Sequence, residues 1–281
     1  SAYTLKTENG TDVYFRVSSF RDYGKLSHRK LDDLVSGSRA DVEKAKEHEA
    51  DFALWKAAKQ NEPSWDSPWG PGRPGWHIEC SAMIYKLFKG TIDIHMGGLD
   101  LIFPHHENEI AQSEALTRKP LASFWLHNGL LEFGHEKMSK SLGNIVTTKE
   151  FLNRYHPEVL RLLFLQQHYR GPLDFSDETV GRAEALLERL YLCANRGQSA
   201  EGEVGGDIPA ELSNLSVNIE EALLDDLGTA KALGLILSAA RLCFRENKHH
   251  YWKAWMGCVK VMQDVFGVLT DDFEHFSAKN K

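Results

Sequence analysis

The sequence predicts an α/β fold followed by an α-helical bundle. Between residues 76 and 175, strand-like and helix-like segments alternate, which is typical of a parallel sheet with crossover helices. From residue 176 onward, apolar residues recur at helical spacing behind Ser176, a good N-cap residue. The α/β stretch is too short for a complete doubly wound domain, so we expect half of the sheet to lie elsewhere or to be absent.

The composition excludes several classes of protein. The 281 residues are 42% hydrophobic and 26% charged, which suits a packed core and not a disordered chain. With 33 basic and 40 acidic residues the net charge is −7, which excludes a uniformly basic nucleic-acid coat but not a local basic path. No apolar run is long enough to cross a bilayer. The four cysteines are sparse and predict a reducing, cytoplasmic compartment.

Four regions are expected along the chain. Residues 1–60 begin with a hairpin and have the polar character of an insertion packed on a larger body. Residues 61–175 form the α/β part, and the proline- and glycine-rich loop at its start carries tryptophans that we expect to be packed. Residues 176–208 are helical and end in a glycine-rich linker, and residues 209–281 are helical again.

The α/β region gives separate signals for each element. Helices are predicted over 78–89, 104–116, 148–155 and 157–168, and strands over 91–95, 124–127 and 129–133. Pro104 and Pro157 stand where a helix begins, which is the position in a helix that tolerates proline.

The first candidate site combines Cys80, His105 and Glu109. His105 and Glu109 are four residues apart on a predicted helix and therefore share one face. Thiolate, imidazole and carboxylate together suit tetrahedral Zn²⁺. The same residues also fit a structural role, with Cys80 as a small buried side chain and His105 as a helix cap.

A second candidate site is the stretch Lys137-Met138-Ser139-Lys140-Ser141, which lies between Gly134 and Gly143. Two ammonium groups on a mobile loop suit a triphosphate, since lysine binds phosphate as a compact point charge. A solvated loop without function would have the same composition.

A third candidate follows the predicted strand at residues 91–95. Gly97 and Gly98 would let a ligand approach the backbone closely, and Asp100 could hold a ribose hydroxyl or a substrate ammonium. Ligands bind at this edge of open α/β sheets. An ordinary turn would also explain the paired glycines.

Four segments occur in a distinctive order: 76–81 (WHIECS), 97–100 (GGLD), 103–109 (FPHHENE) and 137–141 (KMSKS). Together they closely resemble the cysteinyl-tRNA synthetase family of class I aminoacyl-tRNA synthetases. The lysine loop alone would indicate class I, and the cysteine with the HHENE segment indicates cysteine as the amino acid. The resemblance covers most of the chain and is strongest over residues 55–175.

The resemblance assigns roles residue by residue. Cys80, His105 and Glu109 match three of the family's four zinc ligands. Lys140 matches the catalytic lysine that binds ATP, and Lys137 matches its partner in the loop. The remaining assignments are Trp76, His95 and Asp100 to the bound amino acid, and Gly97, Gly98 and Asp100 to ATP.

The resemblance also implies a reaction and its partners. ATP, with Mg²⁺, activates L-cysteine to cysteinyl-adenylate, and the cysteinyl group then passes to tRNA(Cys). The expected protein is a cytoplasmic monomer with Zn²⁺. Rejection of serine at the metal would make an editing domain unnecessary.

The chain departs from the family pattern at its start. The family's first half-sheet carries a Cys-Gly-Pro-Thr-Val-Tyr segment and a His-Ile-Gly-His signature, and this sequence has neither. We therefore expect it to begin inside the family's connective insertion, to contain the C-terminal half of its Rossmann-like catalytic domain, and to stop within the anticodon-binding helices. Residues 176–208 would then be the family's helical stem-contact region and linker. On that basis the fourth zinc ligand is lacking, and this chain alone is expected to be inactive.

Two other functions share the same residues. The chain could be a zinc- or tRNA-binding fragment without catalysis, or a related ligase that joins activated cysteine to an amino sugar. The helical residues 209–281 favour the tRNA enzyme, because the amino-sugar ligase needs no anticodon-binding domain.

Overall fold

A computed structural model describes residues 1–31, 46–133, 136–137, 146–200, 206–274 and 276, with only the backbone for 133, 136 and 137. The chain divides into two compact units, Ser1–Asn128 and Gly129–Lys281. The boundary between the units lies inside the predicted region 61–175.

The first unit opens with a four-stranded antiparallel sheet. Strands β1 (Ala2–Thr7) and β2 (Gly10–Phe15) form the predicted hairpin, and β3 (Phe52–Ala57) and β4 (Gly72–Pro74) follow in the order β1-β2-β3-β4. Gly10 closes the hairpin with a φ of 139°, a conformation that favours glycine. The segment predicted as a loop at 60–75 thus contributes a short strand.

The α/β part of this unit consists of α1 (Trp76–Phe88), β5 (Ile92–Gly98), α2 (Glu107–Thr117) and β6 (Ala122–Asn128). Strands β5 and β6 are parallel and α2 connects them, which confirms the predicted alternation. Helix α2 begins later than predicted, because Phe103 is extended (φ −136°, ψ 132°) and interrupts the turn at residues 102–106.

The two faces of the parallel pair differ in chemistry, because successive side chains on a strand point to opposite faces. On one face, the His95 and Trp125 rings meet at 4.8 Å, and each also contacts the ring of His106. On the other face, Ile94 and Phe124 are exposed. The polar face is therefore the one that can build a site together with α2.

The tryptophans of the proline-rich segment are less packed than the sequence predicts. Trp65 is 59% exposed, so the expectation of a packed loop is wrong for its side chain, whereas Trp69 is 43% exposed and is partly packed. Trp69 lies beside Trp55 of β3, with 6.4 Å between the ring centroids.

The second unit begins with a small sheet in which β7 (Leu131–Phe133) lies between β8 (Glu136–Lys137) and β9 (Leu173–Asp174). Its helices are α3 (Thr148–Leu152), α4 (Pro157–Leu165), α5 (Asp177–Gln198), α6 (Ala210–Ser213), α7 (Leu215–Leu224), α8 (Thr229–Glu246), α9 (His249–Trp255) and α10 (Val259–Asp264).

Side-chain caps fix where α4 and α5 begin. Ser176 and Thr179 form a capping box at α5, as predicted. Pro157 occupies the first turn of α4, and His156 accepts a hydrogen bond from the Glu158 amide. Both starts agree with the sequence because they depend on neighbouring residues alone.

The helices of the second unit share one hydrophobic core, which includes Leu187, Leu190, Ile236 and Trp255. Helix α5 approaches residue 256 very closely at Gly197, where a Cβ atom would lie 2.3 Å from the Met256 sulfur. No helix in the described part of the chain has the length and apolar character needed to cross a membrane.

One buried carboxylate ties the end of this unit to its helices. Glu158 of α4 accepts hydrogen bonds from the backbone amides of Leu269 and Thr270, both at 2.9 Å, and from the Thr270 hydroxyl. It also accepts a 3.0 Å bond from the Tyr191 hydroxyl of α5. These donors satisfy a charge that would otherwise be costly to bury.

Candidate functional site

The site in the first unit begins at the start of α1. Helix α1 follows Gly75, whose position leaves no room for a side chain: a Cβ atom would lie 1.9 Å from the Ala53 carbonyl oxygen of β3. This close approach fixes the first turn of α1 against the antiparallel sheet. It places Trp76, which is largely exposed, flat against the ring of His105 at 4.5 Å between centroids.

Three predicted metal ligands come together beside Trp76. One donor atom each from Cys80, His105 and Glu109 lies within 4.8 Å of the others. His105 Nε2 and Glu109 Oε1 are 2.7 Å apart, yet this buried oxygen has no hydrogen-bond partner. Two potential ligand atoms that lie this close without forming a hydrogen bond have the arrangement expected of two ligands that share one cation.

The donor set fits zinc. A thiol, an imidazole and a carboxylate are the ligand types that Zn²⁺ takes in proteins. Burial raises the pKa of the Cys80 thiol, and the neighbouring Glu109 carboxylate raises it further. A cation at this position would oppose both effects and favour the thiolate.

A second group of potential ligands overlaps the first. His95, His106 and Glu109 also bring one donor atom each within 4.8 Å. His95 Nε2 lies 2.7 Å from Glu109 Oε2, so the two oxygens of this carboxylate face different histidines. Because His95 engages one oxygen, the other is left for the group that contains Cys80.

Two further histidines contact the potential metal ligands through the Nδ1 atoms of His105 and His106. His77 Nδ1 lies 3.0 Å from His105 Nδ1, and His127 Nε2 lies 2.8 Å from His106 Nδ1. Burial lowers the pKa of His77 to about 4, and it does the same for His106. The rings of His77 and His106 are therefore neutral at pH 7, and each can both donate and accept a hydrogen bond.

The glycine pair ends β5 next to this cluster. A Cβ atom at Gly97 would lie 2.7 Å from His106 Cε1, so a larger residue would displace the imidazole. Gly98 stands against the Asp100 carboxylate in the same way, at 2.5 Å. Asp100 follows in a short 3₁₀ turn, Leu99–Leu101, at the carboxyl end of the strand.

The lysine loop belongs to the second unit. The backbone of Lys137 lies in β8, where it pairs with Glu132. Lys140 lies outside the described residues. The roles assigned to the two lysines therefore stay predictions.

The side chains of the HHENE segment, residues 105–109, make contacts in two different places. His105, His106 and Glu109 face the cluster, whereas Glu107 and Asn108 hold the loop around residue 24. The fully buried Glu107 accepts hydrogen bonds from the amides of Gly24, at 2.9 Å, and Ser27, at 2.7 Å. This anchoring fixes the first turn of α2 and with it the direction of Glu109.

Sequence reasoning did not place His77 in the site. It precedes Cys80 by three residues on the same helix, which is a spacing that puts two side chains on neighbouring positions of the helix surface. That spacing was the available signal, but it does not reveal the contact with His105, which comes from a different element.

Comparisons with known proteins show which family the chain is similar to. Residues 1–185 match a family model described as the tRNA synthetases class I (C) catalytic domain. A cysteine–tRNA ligase of Caldicellulosiruptor saccharolyticus is 53% identical over 238 residues, which is 82% of this chain and 51% of the relative. One from Aquifex aeolicus is 47% identical over 282 residues, covering 92% of this chain and 57% of the relative. The chain thus spans about half the length of the curated relatives it matches.

Solved structures support the fold. The methionyl-tRNA synthetase of Mycobacterium tuberculosis, bound by methionyl-adenylate, aligns with a TM-score of 0.61 at 14% identity over 94% of this chain and 65% of its own. A putative arginyl-tRNA synthetase of Campylobacter jejuni aligns with a TM-score of 0.56 at 12% identity, covering 96% of this chain and 58% of its own. These neighbours confirm the predicted α/β class. Because the matched family model covers more than half of its residues, the chain belongs to the class I tRNA synthetases, in the group described as class I (C).

Proposed function

We propose that this chain is part of a cysteine–tRNA ligase, in which its first unit binds zinc and the substrate cysteine. The observation that carries the proposal is the meeting of Cys80, His105 and Glu109 around a buried oxygen without a hydrogen-bond partner. The identity to cysteine–tRNA ligases over more than four-fifths of the chain supports the same reading.

Cysteine selection would depend on the chemistry of this donor set. Zn²⁺, when bound by Cys80, His105 and Glu109, supplies a soft centre that prefers a sulfur ligand to the hydroxyl of serine. Trp76 offers an exposed aromatic face beside the site, against which the amino acid can pack. We assign His95 and Asp100 to the remaining polar contacts of the amino acid.

ATP would lie at the carboxyl end of β5. Gly97 and Gly98 are assigned to ATP because they end this strand, and Asp100 in the following turn can accept from ribose hydroxyls. Lys137 and Lys140, with Mg²⁺, would stabilise the charge that builds on pyrophosphate as the cysteine carboxylate attacks the α-phosphate. In the second step a hydroxyl of the 3′-terminal ribose of tRNA(Cys) would attack the carbonyl of the cysteinyl-adenylate, forming an ester and releasing AMP.

The metal site can be tested separately from the reaction. We expect the purified chain to bind zinc, and Cys80→Ala to abolish most of this binding because the variant loses its thiolate ligand. Cys258→Ala is the matched control, since this buried thiol lies in the core of the second unit. Equal zinc content in Cys80→Ala and the parent chain would remove Cys80 from the ligand set.

The reaction is tested by cysteine-dependent exchange of pyrophosphate with ATP, measured on this chain and on a complete cysteine–tRNA ligase side by side. We expect this chain alone to be inactive, since it carries no His-Ile-Gly-His sequence. In a catalytically active cysteine–tRNA ligase that contains this segment, Lys140→Ala should slow the exchange by about 100-fold. That is the typical effect of losing one electrostatic contact to the transition state. A change confined to the KM for ATP would contradict this role.

The acceptor decides between the rival functions. Charging of tRNA(Cys) supports the proposal, whereas transfer to an amino sugar would favour the related ligase. All four cysteines are free, which is consistent with the cytoplasmic location that we propose. The four-region division and the monomeric state stay predictions.

A further inference from the structure

The contact between His77 and His105 restricts which nitrogen of each ring can carry a proton. His105 presents Nε2 to Glu109 and to the candidate metal position, while its Nδ1 faces His77 Nδ1 at 3.0 Å. A nitrogen that binds a metal must be unprotonated, so the proton of a metal-bound His105 resides on Nδ1. The facing Nδ1 of His77 must then be unprotonated in order to accept it.

The ring of His77 is held in place from several sides. Gln112 of α2 donates a 2.5 Å hydrogen bond to the His77 backbone carbonyl. The ring packs edge-on against Phe52, with 5.5 Å between the centroids, and His77 is only 9% exposed. A ring fixed in this way can fix the orientation of a second ring.

We propose that His77 is a positioning residue for the metal centre, which holds His105 in the tautomer and orientation that present Nε2 to the cation. Histidines that bind metals commonly donate their second N–H to a fixed acceptor, and loss of that acceptor weakens metal binding by about 10–100-fold. Here the acceptor is a second imidazole rather than a carboxylate. This inference rests on the proposed metal site.

The arrangement also separates the two overlapping ligand groups. His77 supports His105 of the Cys80 group, whereas His127 supports His106 of the other group. If the metal is held by Cys80, His105 and Glu109, then of these two supporting histidines His77 is the one that can influence its affinity through this kind of contact. Replacing each supporting histidine in turn therefore reports which group holds the cation.

The experiment measures zinc affinity of the 281-residue chain by competition with a chromophoric chelator. His77→Phe keeps an aromatic ring but removes the acceptor, and zinc binding should weaken by about 10–100-fold. His127→Phe makes the same change behind His106 and should leave the affinity unchanged. His77→Asn places Oδ1 where Nδ1 stood and should recover most of the affinity.

Two outcomes would overturn the inference: an unchanged affinity in His77→Phe, or a loss in His127→Phe in its place. A parent chain that binds no zinc would overturn the metal site itself, and this inference with it. If His77→Phe does not fold, the position of the proton on His77 in the zinc-loaded parent chain decides whether His77 is the acceptor. Nitrogen-15 spectra of the zinc-loaded chain should show His77 protonated on Nε2, and a proton on its Nδ1 would contradict the proposal.

Discussion

His106 and His127 meet across the first unit, with Nδ1 of one ring 2.8 Å from Nε2 of the other. This contact joins the turn before α2 to strand β6, and Gly97 of β5 provides the space for it. Three elements thus converge on a single imidazole.

We expect Gly97→Ala to destabilise the first unit by about 1–3 kcal/mol, because the added methyl group would collide with the buried His106 ring. Urea unfolding followed by tryptophan fluorescence measures the loss. Gly90→Ala is the control, since its Cβ would come no closer than 3.9 Å to its nearest neighbour, the Phe88 oxygen. Equal stability of the two variants would show that the ring moves aside easily.

Glu158→Ala should lower the free energy of unfolding by about 3 kcal/mol, because two backbone amides and two hydroxyls lose their acceptor. Calorimetry or urea unfolding of the chain gives this value directly. Glu188→Ala removes an exposed carboxylate from α5 and should change stability by less than about 0.5 kcal/mol. A comparable effect in both variants would argue against the buried anchor.

Two glycines in helices should respond to alanine in opposite ways. At Gly234 of α8, an alanine methyl group would extend into open space, with no described atom of another element within 4 Å. Gly234→Ala should therefore stabilise the chain by about 0.5–1 kcal/mol. Gly197 of α5 would place that methyl 2.3 Å from the Met256 sulfur, and Gly197→Ala should be destabilising. Melting temperatures that rise in both variants would mean that Met256 repacks without cost.

The ion pair of Asp226 predicts a pH dependence of stability. Arg170 and the Tyr169 hydroxyl donate hydrogen bonds to this carboxylate and lower its pKa from the usual 3.8 to about 2. A lowered folded-state pKa stabilises the fold above about pH 3.8, and this contribution is lost as the pH falls towards 2. The difference in urea midpoint between Asp226→Asn and the parent should therefore shrink between pH 5 and about pH 3.

Because the pair is exposed, the same difference should also shrink in high salt. A difference that stays constant between pH 5 and about pH 3 would mean that Asp226 acts through backbone geometry and not through its charge.

Local signals made the order of elements predictable. Alternating apolar patterns and the caps at Ser176 and Pro157 depend on residues close in sequence, and they locate the corresponding helices correctly. The start of α2 was predicted too early, because proline commonly begins a helix while the extended Phe103 depends on its surroundings. The strand at residues 72–74 was missed because its paired residues in β3 lie at least fifteen positions earlier.

The candidate site was predictable in its ligand types but not in its supports. His105 lies in the turn before α2 and Glu109 in its first turn, and the cysteine of α1 joins them in the fold. The contacts of His77, His127 and Glu107 all link different elements, so no pattern within one segment reveals them. Contacts between residues so far apart in the sequence can be recognised only when the fold is already known.

Glu158 and its partners also set a sequence of events during protein synthesis. The carboxylate precedes its donors Leu269 and Thr270 by 111 and 112 residues. At usual rates of translation, roughly 5–20 s pass before these donors are made. Until then, the Glu158 carboxylate lacks three of the hydrogen-bond donors that it has in the folded unit. We therefore expect the bundle to reach its final stability only after the segment that follows α10 has been made.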